Sequence, residues 1–216
     1  MEKEIAIMIA DLSGYTAMTE THGPATAADL IDKYIRIAEN CLVGDCKIHE
    51  RTGDEIMIVS SSPDFLLATA FMIEGHTSVE DHFLQLHGGL HFGKVLMRNN
   101  SYFGSAINLT SRIASRAKAG SFWCSLEFVS ALTGKSAYIM ESRGVQSFKN
   151  ISKGSEVFEA NFKNKRRLFI DPVCSMQLVD LQNAISSPND DSLYFCSSHC
   201  LDLYITNSQQ RGLQTN

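Results

Sequence analysis

The chain reads as an α+β protein: a ferredoxin-like βαββαβ core with extra αβ elements, followed by a small C-terminal Cys-rich α+β module. Three observations predict this. An apolar run at residues 5–10 is followed by a helical repeat, two short alternating segments around a tight turn, a second helix and a long strand. The composition, 44% hydrophobic and 20% charged over 216 residues, suits a globular chain with a sizeable core. Three of the six cysteines fall within residues 168–207, after the basic stretch Lys-Asn-Lys-Arg-Arg at 163–167, which reads as a linker. The expected division is therefore a domain over 1–162, the linker, a module over 168–207, and a polar, frayed tail over 208–216.

The elements follow in order. "IAIMIA", residues 5–10, is apolar at every position and predicts a strand buried on both faces. "TAADLIDKYIRIAENCL", residues 26–42, places Leu30, Ile31, Tyr34, Ile35, Ala38 and Leu42 on one helical face. "CKIHER" and "EIMIVSS" flank Thr52-Gly53-Asp54, which predicts a hairpin over 46–60. Ser62-Pro63 is a helix entry, so a helix is expected over 62–76. "LHGGLHFGKVLMR", residues 86–98, reads as a strand whose first half is loosened by glycine. "SAINLTSRIASRAKAG", residues 105–120, is amphipathic through Ile107, Leu109, Ile113 and Ala114, with Gly120 as its stop. "SFWCS" predicts a short strand, a short helix runs to Gly134, and residues 137–162 alternate enough for two or three strands. The helices are expected on one face of an antiparallel-rich sheet.

Several function classes drop out. A net charge of −5 argues against a broad nucleic-acid footprint, so no nucleic-acid partner is expected. No apolar run approaches the length of a membrane span. The acidic start Met-Glu-Lys-Glu leads directly into a strand pattern and is not a secretory leader, so a cytoplasmic location is expected. In that compartment the cysteines read as thiols or metal ligands rather than disulfides. Cys41, Cys46 and Cys124 sit in core patterns. His82, His87 and His91 share no helical face and are not read as ligands.

The chemistry begins with Asp11, a carboxylate at the end of the first strand. Asp54, in the hairpin turn, reaches the same sheet edge if the hairpin pairs beside that strand. Two close carboxylates repel unless a cation sits between them, and Mg²⁺ takes oxygen ligands while keeping positions open for phosphate. Taken singly, Asp11 reads first as a turn cap and Asp54 as a hairpin-turn residue. The Ser13-Gly14 turn, with Tyr15 and Thr16 following, would direct backbone N–H groups at a phosphate chain. Asn108 and Arg112 are four apart and share a helical face. An amide suits a sugar oxygen, and a guanidinium fork suits phosphate oxygens.

These segments together resemble the catalytic domain of the class III nucleotidyl (adenylate/guanylate) cyclases. "IADLSGYT" is similar to that family's first metal motif and "RTGDEIMIVS" to its second. "LHGGLHFGKV" resembles its glycine-bearing central strand, "SYFGSAINLTSRIASRAKAGSFWCS" its dimerisation and catalytic helix, and "SFKNISKGSEVFEA" its closing strands. The resemblance spans roughly residues 4–162 in order. It implies two divalent ions, Mg²⁺ or Mn²⁺, held by Asp11 and Asp54. It implies that Asn108 orients the ribose, that Arg112 stabilises charge on the α-phosphate, and that each site forms between the two chains of a homodimer. It also implies a phosphate-contacting lysine near the closing strands, where Lys149 and Lys153 both fall. Glu50 and Ser101 occupy the base-selecting positions. Adenylate cyclases typically carry Lys at the first, whereas Glu can accept hydrogen bonds from guanine, so the pair leans toward GTP with ATP left open. Serine at the second fits neither class.

The last third holds a second resemblance. "DPVCSM" and "YFCSSHC" resemble the YHS/TRASH-like cysteine module over residues 168–205, with Ser175 where that family usually has glycine. Cys174, Cys196 and Cys200 would supply three thiolates, suited to Zn²⁺ or Cu⁺. Cys196 and Cys200, four apart, are expected on one side of a helix, and His199 is expected to point elsewhere. The reading is a homodimeric nucleotidyl cyclase acting on a nucleoside triphosphate and regulated by the cysteine module. A silent nucleotide sensor and a metal-handling protein on a dimeric scaffold are its rivals.

Overall fold

The computed structural model describes residues 1–149, 151, 154–161 and 168–213. Lys153, the 163–167 linker and residues 214–216 of the expected tail lie outside them.

The first half builds β1 (Glu2–Leu12), α1 (Tyr15–Asn40), β2 (Lys47–Thr52), β3 (Glu55–Ser60), α2 (Pro63–Thr77) and β4 (Leu86–Arg98). These four strands lie in the order β2-β3-β1-β4, each antiparallel to its neighbours. This is the expected βαββαβ core. The chain then adds β5 (Ser101–Phe103), α3 (Ser105–Ala114), β6 (Ser121–Ser125), α4 (Leu126–Ala131), β7 (Ile139–Gln146) and β8 (Ser155–Asn161). The full order is β2-β3-β1-β4-β6-β8-β7, with β5 paired to β4.

β1 is apolar on both sides because both its faces are covered. Ala6, Met8, Ala10 and Leu12 face a core shared with Met18, Leu30 and Tyr34 of α1, Leu66 and Leu67 of α2 and Phe128 of α4. Ile5, Ile7 and Ile9 face a second core closed by Ala106 and Ala114 of α3. The expectation that all helices share one face is therefore corrected. β6 runs parallel to β4, which requires a crossover, and the crossover carries α3 over the opposite face. Glycine in β4 has a packing reason. A Cβ on Gly89 would stand 2.4 Å from the Ala114 nitrogen and 2.5 Å from the Thr110 carbonyl oxygen, so only glycine lets the α3 backbone lie this close.

The largest boundary differences within the sheet domain are in α1 and α3. α1 begins at Tyr15, eleven residues before the predicted start, and is broken at Gly23 (φ 85°, ψ 169°) ahead of Pro24. The Gly-Pro pair marks a kink, and the segment before it buries Met18. α3 stops at Ala114 rather than running to Gly120. α2 matches closely: Ser62 caps it by accepting from the Phe65 N–H at 3.3 Å, with Pro63 in the first turn.

The C-terminal segment forms two small hairpins, β9 (Phe169–Ile170) with β10 (Gln177–Leu178) and β11 (Ile185–Ser186) with β12 (Tyr194–Phe195), then α5 (Ser198–Leu213). α5 extends through residues 208–213, so the polar stretch expected to fray there continues a helix. Cys174, Met176, Phe195 and Cys200 join the same core cluster as β1 and α1. Buried Gln177 pins the segment to the α2–β4 connection. Its backbone N–H donates to Phe83 O at 2.7 Å, its Nε2 to Glu80 O at 2.8 Å, and its carbonyl accepts from His82 N at 3.0 Å. Among the described residues, no helix is long and apolar enough to cross a membrane.

Candidate active site

β1 ends at one sheet edge, and the β2–β3 hairpin turns at the same edge. Gly53 (φ 62°) occupies the first of the two loop positions, a conformation that glycine tolerates and a tight hairpin needs. Asp54 follows it, and the register Ala10↔Ile56 sets the start of β3 beside the end of β1. The two carboxylates meet. Burial first, then a hydrogen bond to Asp11 and the Asp11 charge, push the Asp54 carboxyl from 3.8 up to about 7. Asp11 also accepts the Leu12 N–H at 3.0 Å. Two half-buried carboxylates competing for one proton are a donor set that fits a divalent cation: oxygen-only and convergent.

His87 lies directly opposite Asp11 in the β1–β4 register and so shares its face of the sheet. Its Nδ1 is 2.9 Å from Ser13 Oγ, and burial lowers its pKa while the nearby Asp54 charge opposes the shift. His87 thus positions the serine of the turn, a role the sequence reading missed. The strand register was the signal that could have revealed it.

The turn itself differs in detail from expectation. The Ser13 N–H is taken by Gln85 O at 2.8 Å, so it is not directed at a ligand. Gly14 (φ 88°) precedes α1, whose first intrahelical bond from Met18 N reaches Gly14 O at 2.9 Å. The N–H groups of Tyr15, Thr16 and Ala17 therefore have no carbonyl four residues back within the helix. Thr16 is exposed, and Tyr15 packs against the main core.

A second group forms on the α3 face. β2 carries an irregularity between Ile48, paired with Ile58, and Glu50, paired with Met57. The extra residue, His49, inverts the alternation: Ile48 faces the main core, and Glu50 turns to the α3 side. There Glu50 and Asn108 line one cleft of about 220 Å³ with Thr52, Glu55 and Ser111. Burial, then Asp54 and Glu50, hold the Glu55 carboxyl above its ordinary value. Arg112 is exposed one turn beyond Asn108 and, among the described residues, has no salt-bridge partner. Ser101 is exposed, lies opposite Arg98 at the start of β5 and is not among the residues lining the cleft. Lys149 is exposed.

The three C-terminal cysteines converge as expected, but not by one helix. Cys200 is on α5, whereas Cys196 precedes it, and Ser197 Oγ accepts from the Cys200 N–H at 3.3 Å. Ser175 adopts φ 64°, a left-handed conformation that glycine tolerates best. His199 is exposed and stands outside the cluster; the histidine that joins the thiols is His22 of α1. The hydrogen bond that Cys174 donates to Cys196, then burial, raises Cys174; the same bond lowers Cys196; burial pushes Cys200 up to about 12. Burial also lowers the His22 pKa, favouring the neutral imidazole.

Residues 1–160 match the model of the adenylate and guanylate cyclase catalytic domain. An uncharacterized protein of Mycobacterium tuberculosis is 35% identical over 115 residues, 53% of this chain. That stretch is 30% of the relative's own length, so this chain matches only part of its curated relatives. Among solved structures, the adenylyl cyclase CyaB of P. aeruginosa superposes with a TM-score of 0.66 at 18% identity, covering 77% of this chain and 97% of that one. The guanylate cyclase domain of RhGC from Catenaria anguillulae, in complex with GTP, gives 0.63 at 16% identity, covering 76% and 100%. The family match over most of the chain and the agreement in fold lead to one conclusion: the chain belongs to the adenylate and guanylate cyclase catalytic domain family.

Proposed function

We propose that the chain converts a nucleoside triphosphate, GTP or ATP, to the 3′,5′-cyclic nucleotide and pyrophosphate, at two sites shared between the protomers of a homodimer. The observation that carries this reading is the convergence of Asp11 and Asp54 at one sheet edge, where burial and then the Asp11 carboxylate push the Asp54 carboxyl up to about 7. Mg²⁺ or Mn²⁺, two ions per site, would supply the charge that neutralises the triphosphate and acidifies the ribose 3′-hydroxyl. Asp11 and Asp54 hold those ions, and His87 keeps Ser13 and the turn after β1 in place. The first turn of α1 offers N–H groups to the phosphate chain. The 3′-oxygen attacks the α-phosphorus in line, forming the new O–P bond as the bond to pyrophosphate breaks.

Asn108 and Arg112 serve the other chain's carboxylates in this scheme. Asn108 orients the ribose, and the exposed Arg112 guanidinium stabilises charge developing on the α-phosphate. Apolar exposure supports the dimer: Leu96 and Phe103 pair across β4 and β5 and are 44% and 53% exposed. Glu50 lines the Asn108 cleft and favours guanine, whose N1–H and N2–H it can accept. Ser101, and Lys149 or Lys153, complete the proposed contacts to base and phosphate. The cysteine module biases the dimer in response to metal or redox state, so Cys196→Ser should change turnover or its response to added metal.

The direct test is product analysis by mass spectrometry. Purified protein is incubated with GTP, ATP, CTP and UTP in turn, with Mn²⁺ and then Mg²⁺, beside Asp54→Ala. A cyclic product from GTP or ATP that vanishes in the variant is expected. Retained nucleotide binding with no product from any triphosphate would replace the cyclase reading with that of a silent sensor.

A further inference from the structure

The C-terminal cysteines meet a residue from the far end of the chain. Cys196 Sγ lies 3.6 Å from Cys174 Sγ, 3.5 Å from Cys200 Sγ and 3.5 Å from His22 Nε2. Cys200 Sγ is 3.7 Å from the same nitrogen, and all four ligand atoms lie within 4.8 Å of one another. A tetrahedral ion about 2.3 Å from sulfur and about 2.0–2.1 Å from nitrogen requires S···S near 3.8 Å and S···N near 3.6 Å. The four contacts of 3.5–3.7 Å fit that tetrahedron, and the two remaining pairs, within 4.8 Å, need close in by no more than about 1.2 Å to complete it. They are far from the ~2.0 Å of a disulfide.

We propose that His22, Cys174, Cys196 and Cys200 form one four-coordinate site for a thiophilic d¹⁰ cation, Zn²⁺ or Cu⁺, and that this site ties the C-terminal segment to the first part of α1. The cluster is braced from behind. Asp171 is fully buried and accepts the N–H groups of Val173 at 2.8 Å, Cys174 at 3.2 Å and Cys196 at 2.8 Å. One carboxylate thus holds two of the ligand-bearing loops together without taking a ligand position. An entry path exists as well: half-buried Cys196, with His22 and Ser197, lines a cleft of about 390 Å³.

The position of His22 gives the site a consequence. It is the last residue before the break at Gly23, so Tyr15–His22 forms a short helical rod separate from the rest of α1. The cysteine segment touches both ends of this rod. Ser175, next to Cys174, presses on Gly14 so closely that a Cβ there would stand 2.3 Å from the serine Cβ. The ligand cluster holds the other end. Cation binding therefore fixes the rod whose first turn follows Asp11. Only an effect on turnover rests on the cyclase reading; the site and the ordering of the rod do not.

The test loads the full-length protein with Zn²⁺, and separately with Cu⁺ under reductant, and records X-ray absorption at each metal edge. One equivalent per chain bound by three sulfurs and one nitrogen, for either ion, is expected, and the two arms tell which ion fits. Amide exchange over residues 15–22 should slow on loading in the wild type but not in His22→Ala, whose affinity should fall at least about tenfold. Sulfur-only coordination, substoichiometric binding of both ions, or equal affinity in His22→Ala would overturn the proposal. The absorption measurement uses the wild type, so a misfolded variant leaves it decisive. Assaying the same samples for cyclic product separates the two readings. An S₃N site without product leaves this inference standing and removes the cyclase; product without the S₃N site does the reverse.

Discussion

Glu50 and Asn108 line one cleft because a bulge at His49 rotates Glu50 out of the alternation set by Ile48. The side chains proposed to read the base, on β2, and to orient the ribose, on α3, thus border a single small space. If Glu50 selects guanine, Glu50→Lys should move the ratio of kcat/KM for GTP over ATP toward ATP by at least about tenfold, roughly 1.4 kcal/mol of discrimination. Competition between the two triphosphates measures it. An unchanged ratio would remove Glu50 from base selection.

Asp54 makes a stability prediction of opposite sign to its activity prediction. Its carboxyl ionises near 3.8 when unfolded and near about 7 in the folded chain. Between those values the folded state holds the extra proton. The stabilisation is therefore full below about 3.8 and lost as pH rises through about 7. Metal-free Asp54→Asn should be more stable than wild type at pH 8, by on the order of 1 kcal/mol after allowing for solvent screening, and the difference should shrink toward pH 5. Turnover should be abolished. Thermal denaturation in chelator at the two pH values checks the first claim, and a gap independent of pH would contradict it.

How much of this was legible in the sequence depends on the range of the contacts. The hairpin, with Gly53 and Asp54 at its tip, and the entry to α2 at Ser62-Pro63 are written in adjacent residues and were read directly. The pairing of Asp11 with Asp54 required only that the hairpin lie beside the first strand. The bulge at His49 was hidden, because Glu50 alternates normally in the linear string and only the partner register inverts it. His22 was hidden more deeply: a single histidine on a helix has no ligand pattern, and its partners come more than 150 residues later. The start of α1 at Tyr15 is hidden because the helical turns before the Gly23-Pro24 kink are short and mostly polar. Placing every helix on one face failed because amphipathicity shows that a helix packs, not against which side of the sheet.

Gly89 carries the approach of α3 to β4. Gly89→Ala puts a methyl 2.4 Å from the Ala114 nitrogen, and backbone cannot yield as a flexible side chain would. The helix bearing Asn108 and Arg112 must lift. Urea denaturation should show a loss of about 1–3 kcal/mol, with kcat falling alongside. Wild-type stability in the variant would mean that α3 packs differently.

Gly14 is constrained twice, by φ 88° and by Ser175 against its missing side chain. Gly14→Ala should cost about 1–3 kcal/mol. Pairing it with Ser175→Gly removes the side-chain clash and should restore part of that loss. A double variant no better than the single one would show that the contact between the turn and the cysteine segment is not where the strain lies.

The central claim is a composite site, with Asp11 and Asp54 from one protomer and Asn108 and Arg112 from the other. Mixing two inactive variants, Asp54→Ala and Arg112→Ala, after dissociation and reassembly tests it most directly. Random pairing makes about half of the dimers mixed, and each mixed dimer carries one site with all four residues intact. The account predicts that the mixture recovers cyclic nucleotide synthesis to about a quarter of the wild-type rate. Confirmed mixed dimers with no recovered activity, in a protein whose wild type turns over, would contradict it and place the whole site within one chain.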